Sequence, residues 1–175
     1  MHGDPPRAAV GDSSPSSPAA EQGAAPAGAA AHFRSLKNLY ASAPINALFA
    51  SRLEIPEAGR ALIRFTVDER VHHAAGAAHG TIYFKMLDDA AFYAANSLVS
   101  DRFLLTTGFN LNFTRPVKGG DLVAQARWIS GRKRVFVAEA DLIDAAGEVV
   151  GRGTGTFMRS RIALSGLAGY RLPAV

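Results

Sequence analysis

The sequence predicts an α+β domain in which one long helix packs on one face of an antiparallel sheet. Three observations predict it. A segment of alternating apolar and polar residues comes first, at 60–71, and a helical segment rich in alanine and aromatic residues follows at 81–98. Four further segments with strand character come after the helix and are separated by short turns. A helix inserted between strands of one antiparallel sheet is typical of the α+β class.

Length and composition fit one globular domain. The chain has 175 residues, of which 48% are hydrophobic, and no stretch approaches the roughly 20 apolar residues of a membrane span. There is no cysteine, which excludes disulfides, thiolate metal ligands and cysteine nucleophiles. The net charge is +4, but the basic residues are mostly scattered, so we expect neither nucleic acid nor a membrane as a partner.

Residues 1–31 differ in composition from the rest of the chain. They consist almost wholly of Ala, Pro, Ser, Gly and a few charged residues, and Val10 is their only large aliphatic side chain after Met1. Such a segment cannot bury enough apolar surface to offset the entropy of ordering it. We therefore expect a disordered tail at 1–31 and a folded domain at 32–175. The start lacks the apolar segment of a secretory signal, so a cytoplasmic location is expected.

The folded part is expected to begin with one or two short amphipathic helices. FRSLKNLY (33–40) and APINALF (43–49) have a helical spacing of apolar residues, and Pro44 interrupts them. The segment 60–71 then alternates between apolar and polar residues, as in a half-buried strand.

Two of the turns between the later strands carry the glycine expected in short hairpin loops. The strand segments are 108–116, 121–130, 134–144 and 148–160. In the last of them Gly151, Gly153 and Gly155 recur with a period of two and leave one strand face nearly bare, so a helix or a ligand can approach closely. No helix follows these glycines in the predicted order, which argues against a dinucleotide-binding loop.

The central helix carries two adjacent acids. At about 100° per residue, one face collects the residues expected to pack on the sheet: Tyr83, Met86, Leu87, Ala90, Ala91, Ala94 and Leu98. The opposite stripe contains Thr81, Phe84, Lys85, Asp88, Phe92 and Ala95, and Asp89 lies toward the flank beside Tyr93. Two interpretations of Asp88 stay open. It forms an exposed ion pair with Lys85, worth a few tenths of a kcal/mol, or it faces a ligand or a second subunit.

A loop of small residues, 76–80, precedes this helix. The first N–H groups of a helix have no intrahelical acceptor and carry partial positive charge, so they attract an anion or a developing oxyanion. Asp88 lies nine residues after His79, about two and a half turns along the helix.

Two motifs in the chain resemble those of a known family. The first, H-G-x-x-x-x-x-L-x-D-x-A, is approximated by His79, Gly80, Met86, Asp88 and Ala90. The second, T-x-x-x-N-x-N-F-x-R-P, follows at 106–116. In this order they resemble the hot-dog-fold thioesterases of the PaaI-like group. The resemblance implies a sheet wrapped around the long helix, a homodimer that joins two sheets edge to edge, often a tetramer, and hydrolysis of acyl-CoA thioesters at the dimer interface.

Carried over by position, the resemblance assigns five residues to the site. Asp88 matches the catalytic carboxylate, which acts as the nucleophile or as the base that activates water. Gly80 matches the residue whose backbone N–H holds the thioester oxygen, and His79 matches the histidine that orients this loop. Thr106 matches a Ser/Thr position that can reach the site from the other subunit. His73 stands where related enzymes often have an asparagine.

Two positions depart from the family pattern. Thr81 replaces a second glycine after His-Gly, and His73 replaces the asparagine that supports the oxyanion or the water. A histidine can donate a hydrogen bond from either ring nitrogen, so the role can survive with a different pH dependence. The same change also leaves open a different substrate or a protein without activity.

Coenzyme A is expected only as part of the substrate, and no metal or other cofactor is expected. Candidates for its phosphates are Arg132, Lys133, Arg134 and Arg159, together with Arg161. A solvated turn is the alternative for the cluster at 132–134. A metal site built from His72, His73, His79 and Asp88 is not expected, because the resemblance uses most of these residues otherwise.

The predicted function is hydrolysis of acyl-CoA thioesters. The alternative is a hot-dog protein that binds acyl-CoA as a sensor or carrier without hydrolysing it. The acyl group is not fixed by the sequence. Aromatic residues that could line an aryl or medium-chain pocket, or equally form the core, are Tyr83, Phe84, Phe92 and Phe109.

Overall fold

The computed structural model describes residues 27–171, and it confirms the predicted α+β class: six antiparallel strands form one sheet, and a long helix packs on it. In chain order the helices and strands are α1 (Ala27–Ser42), α2 (Pro44–Ala47), β1 (Arg52–Glu54), β2 (Arg60–Val67), α3 (Gly80–Asn96), β3 (Arg102–Phe113), β4 (Gly120–Ser130), β5 (Val135–Asp144) and β6 (Val149–Ala163). The order across the sheet is β1-β2-β4-β5-β6-β3, which places β3 at one edge. Within residues 27–171, no helix is both long and apolar enough to cross a bilayer.

Helix α3 contacts strands β2 to β6 and supplies much of the core. Most of the predicted sheet-facing residues are buried: Tyr83, Met86, Leu87, Ala90, Ala91 and Ala94. Two large residues differ from what the two faces of the helix suggest. Phe92, placed on the opposite stripe, is buried because β3 and β6 cover that side, where its ring lies 4.9 Å from that of Phe103 and 5.9 Å from that of Phe157. Leu98 lies beyond the end of the helix and is 40% exposed.

Strand β3 begins at Arg102, six residues before the predicted strand at 108–116. Consecutive apolar residues at 103–105 obscure the alternation, and the pairing with β6 shifts register between Thr106 and Gly108. Both features hide a strand from a period-two pattern. The additional length matters for the site, because it brings Thr106 alongside α3.

Helix α1 includes residues 27–31, which composition had assigned to the disordered tail; residues 1–26 lie outside the described part of the chain. Alanine has the highest helix propensity, so the alanine-rich stretch continues the helix. Buried His32 ties α1 to the rest of the fold. Its Nε2 donates to the carbonyl of Asn96 (3.1 Å), and its Nδ1 accepts from the hydroxyl of Tyr170 (2.7 Å). Burial lowers the pKa of His32, despite the bond to the helix end.

The three glycines of β6 serve close packing. A Cβ at Gly151 would press on the ring of Tyr83 from α3, and one at Gly153 would enter the ring of Phe109. A Cβ at Gly155 would meet Phe109 as well. The bare strand face therefore accommodates aromatic side chains from the helix and from β3.

Candidate active site

His79 caps the N-terminus of α3. Its Nδ1 accepts from the backbone N–H of Thr81 (3.2 Å) and lies 3.0 Å from the Thr81 hydroxyl. Its backbone N–H donates to the carbonyl of Val71 (2.9 Å). A ring nitrogen that accepts carries no proton, so the neutral imidazole is protonated on Nε2. Thr81, which replaces the second glycine of the family motif, thus contributes to a cap that holds the loop in place.

His73 turns the loop before the helix. Its Nδ1 accepts from the N–H of Ala75 (3.0 Å), and its backbone N–H donates to the carbonyl of Ala77 (2.8 Å). The Nε2–H of the neutral ring is therefore the group that remains to donate. His73 and Gly80 line the same pocket, of about 320 Å³. The other walls of this pocket are Ala78, Tyr83, Phe113, Thr114, Arg115 and Pro116.

Gly80 is the first residue of α3, so its N–H has no intrahelical acceptor. A Cβ at this position would lie 3.2 Å from the ring of Phe113. Glycine therefore lets the helix start approach the aromatic wall of the pocket. The structure thus brings together three of the predicted site residues at the helix N-terminus: His73, His79 and Gly80.

Asp88 lies in a second pocket, of about 250 Å³, between α2, α3 and β3. Its carboxylate accepts a hydrogen bond from the hydroxyl of Thr106 (3.1 Å). Burial raises the pKa of Asp88 to about 6; the Thr106 bond opposes this rise, the charge of Asp89 adds to it, and Lys85 counteracts it. The resemblance implied that Thr106 reaches the site from the other subunit. Here it contacts Asp88 of its own chain, because β3 runs beside α3.

Lys85 forms its ion pair with Asp89, four residues on. Of the two interpretations of Asp88 that the sequence left open, the exposed pair with Lys85 is therefore not observed. The side chains of Lys85 and Asp89 are only 12% and 23% exposed. Lys85 Nζ also donates to Oδ1 of Asn46 in α2 (2.6 Å). Burial raises the pKa of Asp89, and Lys85 counteracts the rise. The four-residue spacing was a signal for this pair, but nothing in the sequence indicated Asn46 as a member of the cluster.

The two pockets share no lining residue. Gly80 and Asp88 are eight residues apart on one straight helix, which separates them by about 12 Å along its axis. A thioester carbonyl carbon and its oxygen are bonded neighbours. The Gly80 N–H and the Asp88 carboxylate of one chain therefore do not reach the same thioester carbonyl.

The predicted phosphate-binding residues lie elsewhere. The Arg132 guanidinium stacks 5.1 Å from the ring centre of Trp128, and Arg159 is ion-paired with Asp101. Lys133 and Arg134 are exposed in the turn between β4 and β5. None of the four lines either pocket, so their role toward coenzyme A stays a prediction. Among residues 27–171, no cluster of three or more His, Asp or Glu side chains is arranged to hold a metal ion.

Comparison with known proteins shows what this chain is similar to. Residues 75–150, which span the His79 loop, α3, β3, β4 and β5, match the thioesterase superfamily. A curated protein of Saccharolobus solfataricus that is provisionally named an esterase, SSO1253, is 28% identical over 102 residues, which cover 58% of this chain and 68% of that protein. No function follows for this chain from that name alone.

Solved structures show the same fold. A thioesterase family protein from Silicibacter pomeroyi is 26% identical with a TM-score of 0.66, covering 71% of this chain and 97% of that chain. The Escherichia coli PaaI protein from the phenylacetic acid degradation operon is 19% identical with a TM-score of 0.71, covering 77% and 97%. The fold is therefore the hot-dog fold. The resemblance drawn from the two motifs, to hot-dog-fold thioesterases of the PaaI-like group, is confirmed.

Proposed function

We propose that this protein hydrolyses acyl-CoA thioesters with Asp88 as the base or nucleophile. One observation carries the proposal: the Asp88 carboxylate is largely buried beside an apolar pocket, is oriented by Thr106, and has a pKa raised to about 6. Such a group is ionised at neutral pH and is a stronger base than an ordinary aspartate. Perturbation of this kind is typical of catalytic carboxylates.

In the base mechanism Asp88 takes a proton from water as the water oxygen bonds to the thioester carbonyl carbon. The carbonyl electron pair moves to the oxygen, which the Gly80 N–H and the Nε2–H of His73 hold as an oxyanion. Collapse of this intermediate breaks the carbon–sulfur bond, and the coenzyme A sulfur leaves and takes up the proton that Asp88 had accepted, which restores the carboxylate. In the nucleophilic variant an Asp88 oxygen bonds to the carbonyl carbon and the carbon–sulfur bond breaks, so that coenzyme A leaves as a thiolate. Water then hydrolyses the mixed anhydride, which releases the free acid and restores the Asp88 carboxylate.

The separation of Gly80 and Asp88 supports a dimeric site. β3 is an edge strand of the sheet. The exposed ring of Phe113 at its end lines the Gly80 pocket, and the exposed ring of Phe84 from α3 packs on Phe109 of β3. Pairing of β3 with a second copy would protect this edge and cover these rings. We propose that Gly80 of one subunit faces Asp88 of the partner subunit. A dimer of dimers, a cytoplasmic location and a role of Arg132, Lys133, Arg134 and Arg159 toward the coenzyme A phosphates stay predictions.

Mixing two inactive variants tests the shared site. Gly80→Pro removes the N–H at a helix position where proline is favoured, and His79 already has the extended backbone that precedes proline. Alone it should lose about 10²–10³-fold in kcat. In a mixed population with Asp88→Asn, half the dimers carry one intact composite site, so activity should recover to about a quarter of wild type.

Recovery depends on where the two groups meet. If the site lay within one chain, every chain in the mixture would carry a defect, and no activity would return. The variants are refolded together or co-expressed with two tags. The mixture should show about a quarter of wild-type activity, and the isolated doubly tagged dimer about half. Gly80→Ala keeps the N–H and adds the same Cβ beside the Phe113 ring that proline adds, so it is the matched control and should lose much less activity than Gly80→Pro.

The acyl pocket favours small groups. Its volume of about 250 Å³ lies below the roughly 300–1,000 Å³ of pockets that take drug-sized ligands. Apolar walls come from Phe92, Tyr93, Phe103, Leu104 and Leu105 on one side and Ile45 of α2 on the other. We expect short-chain and aryl acyl groups to be better substrates than long-chain groups.

A thiol-release assay tests the function directly, since the chain has no cysteine to react with the dye. Wild type is measured with short-chain, aryl and long-chain acyl-CoAs. We expect turnover of short-chain and aryl acyl-CoAs. For long-chain acyl-CoAs, kcat/KM should be lower by at least about tenfold. Tight binding of acyl-CoA without turnover would favour the second candidate, a non-catalytic binding protein, for which His73 in place of the family asparagine is the supporting observation.

A further inference from the structure

A buried ion pair adjoins the Asp88 pocket and is not required by the mechanism. Lys85 Nζ contacts the Asp89 carboxylate and Oδ1 of Asn46, and it lies 5.6 and 5.4 Å from the ring centres of Tyr40 and Phe49. The ammonium group is therefore enclosed by one carboxylate, one amide oxygen and two aromatic faces. Both types of contact stabilise a desolvated cation.

Asn46 transmits the position of this pair to α2. Its side chain is buried, with Nδ2 donating to the carbonyl of Tyr40 (2.7 Å) while Oδ1 accepts from Lys85 (2.6 Å). Helix α2 has only four residues, too few to be stable by itself. Its neighbours Ala43 and Ile45 form one wall of the pocket that contains Asp88. The ion pair thus fixes a wall of the pocket.

A buried ion pair is weak evidence for stability, because desolvation of the two charges offsets their attraction. The Lys85–Asp89 pair also acts on the Asp88 carboxylate through its charges. Within residues 27–171, the charged groups that line the Asp88 pocket are Lys85 and Asp89 of α3. Tyr93 of α3 lines it too and stays neutral, because burial raises its pKa, while β3 contributes the neutral Thr106 and α2 the neutral Asn46. Asp89 raises the pKa of Asp88 and Lys85 lowers it. The two partners act on the carboxylate in opposite directions.

We propose that Lys85 and Asp89 are positioning residues for Asp88: their ion pair anchors α2 over the acyl pocket and sets the balance of charge beside the reacting carboxylate. The inference rests on the proposed function, because it concerns the residue that acts there as base or nucleophile. It assigns a role to the second acid of the Asp88-Asp89 pair, which the family motif leaves unspecified.

Opposite shifts in pH dependence test the proposal. Below the pKa of Asp88 the carboxylate is protonated, so kcat/KM of wild type should fall tenfold per pH unit with a midpoint near pH 6. Asp89→Asn removes the negative neighbour and leaves the cation, so the midpoint should move down by about half a unit or more. Lys85→Gln removes the cation, so the midpoint should move up by a similar amount.

Two controls separate charge from structure. Asn46→Ala loosens α2 without changing charge, so it should raise KM for the preferred acyl-CoA while the midpoint stays in place. Glu57→Gln breaks the exposed pair with Arg60 and should change neither quantity. Midpoints that stay within about 0.2 unit in both charge variants, or that move in the same direction, would overturn the proposal.

The inference is distinguishable from the proposed function. If wild type hydrolyses no acyl-CoA, the function fails, and the coupling is then measured by carbon NMR titration of the Asp88 carboxyl in the same variants. Opposite shifts in that titration would uphold the charge coupling without the activity. Unchanged titration in both variants would reject it, whether or not the protein is an enzyme.

Discussion

Asp88→Asn should abolish acyl-CoA hydrolysis and make the protein more stable. Asparagine has the same shape and can still accept the hydrogen bond from Thr106, so the site geometry is retained. It can neither take a proton from water nor form an anhydride with the acyl group. We expect kcat to fall by about 10³-fold or more, because this is the range lost with a general base or nucleophile.

The gain in stability follows from the raised pKa of Asp88. The folded state holds the proton up to about pH 6 whereas an ordinary aspartate releases it near 3.8, so at neutral pH the ionised side chain costs the fold about 3 kcal/mol. Between these pH values the native state binds more protons than the unfolded state, and stability falls as pH rises. The amide of the Asp88→Asn variant carries no such charge, so this variant should be about 1–3 kcal/mol more stable at pH 7.

Urea unfolding at pH 4 and at pH 7 measures this difference, and the thiol-release assay measures kcat. The two proteins should have similar free energies of unfolding at pH 4 and should diverge by pH 7. Asp121→Asn, at an exposed acid of β4, is the matched control and should change neither kcat nor the pH dependence. An Asp88→Asn protein with wild-type turnover would rule out the proposed mechanism.

The sequence predicted the elements of this site better than their arrangement. The 3.6-residue period placed Asp88 off the sheet-facing side of α3, and the loop composition placed Gly80 at a helix start; both are observed. The same period placed Phe92 on the stripe opposite the sheet-facing residues, with a ligand pocket or the core left open as its surroundings. The side chain is buried, because β3 and β6 provide a second packing surface that a helical wheel does not show. Whether a second face of a helix is buried depends on elements that are distant in sequence, and a helical wheel does not contain them.

The surroundings of Asp88 depend on contacts that a local pattern does not contain. Asn46 lies 39 residues before Lys85 in a loop-like helix of four residues, and no spacing rule connects them. Thr106 was recognised through a family motif, yet its contact with Asp88 of the same chain required the early start of β3. Perturbed ionisation at the site comes from such long-range packing, so the sequence supplies the acid but not its pKa.

Asn96→Ala should cost the fold about 3 kcal/mol or more. Asn96 is fully buried at the end of α3, where Oδ1 accepts from the N–H of Leu104 (3.0 Å) and Nδ2 donates to the carbonyls of Val99 (3.0 Å) and Arg102 (3.1 Å). Alanine would leave three backbone groups without partners and a small cavity. Each buried unsatisfied group costs roughly 1–3 kcal/mol before relaxation.

This side chain also determines where β3 begins, since its three bonds fix the connection that leads from α3 to Leu104, two residues before Thr106. Loss of the bonds should therefore lower kcat as well, through a misplaced Thr106 and a less oriented Asp88.

Urea unfolding should show a lower midpoint with an unchanged slope, and the melting temperature should fall by about 6–12 °C. Asn38→Ala, at an exposed position of α1, is the control and should stay within about 0.5 kcal/mol of wild type. A loss below about 1 kcal/mol for Asn96→Ala would mean that the connection is held chiefly by other contacts, such as the bond from the Gly59 N–H to the Ser97 hydroxyl.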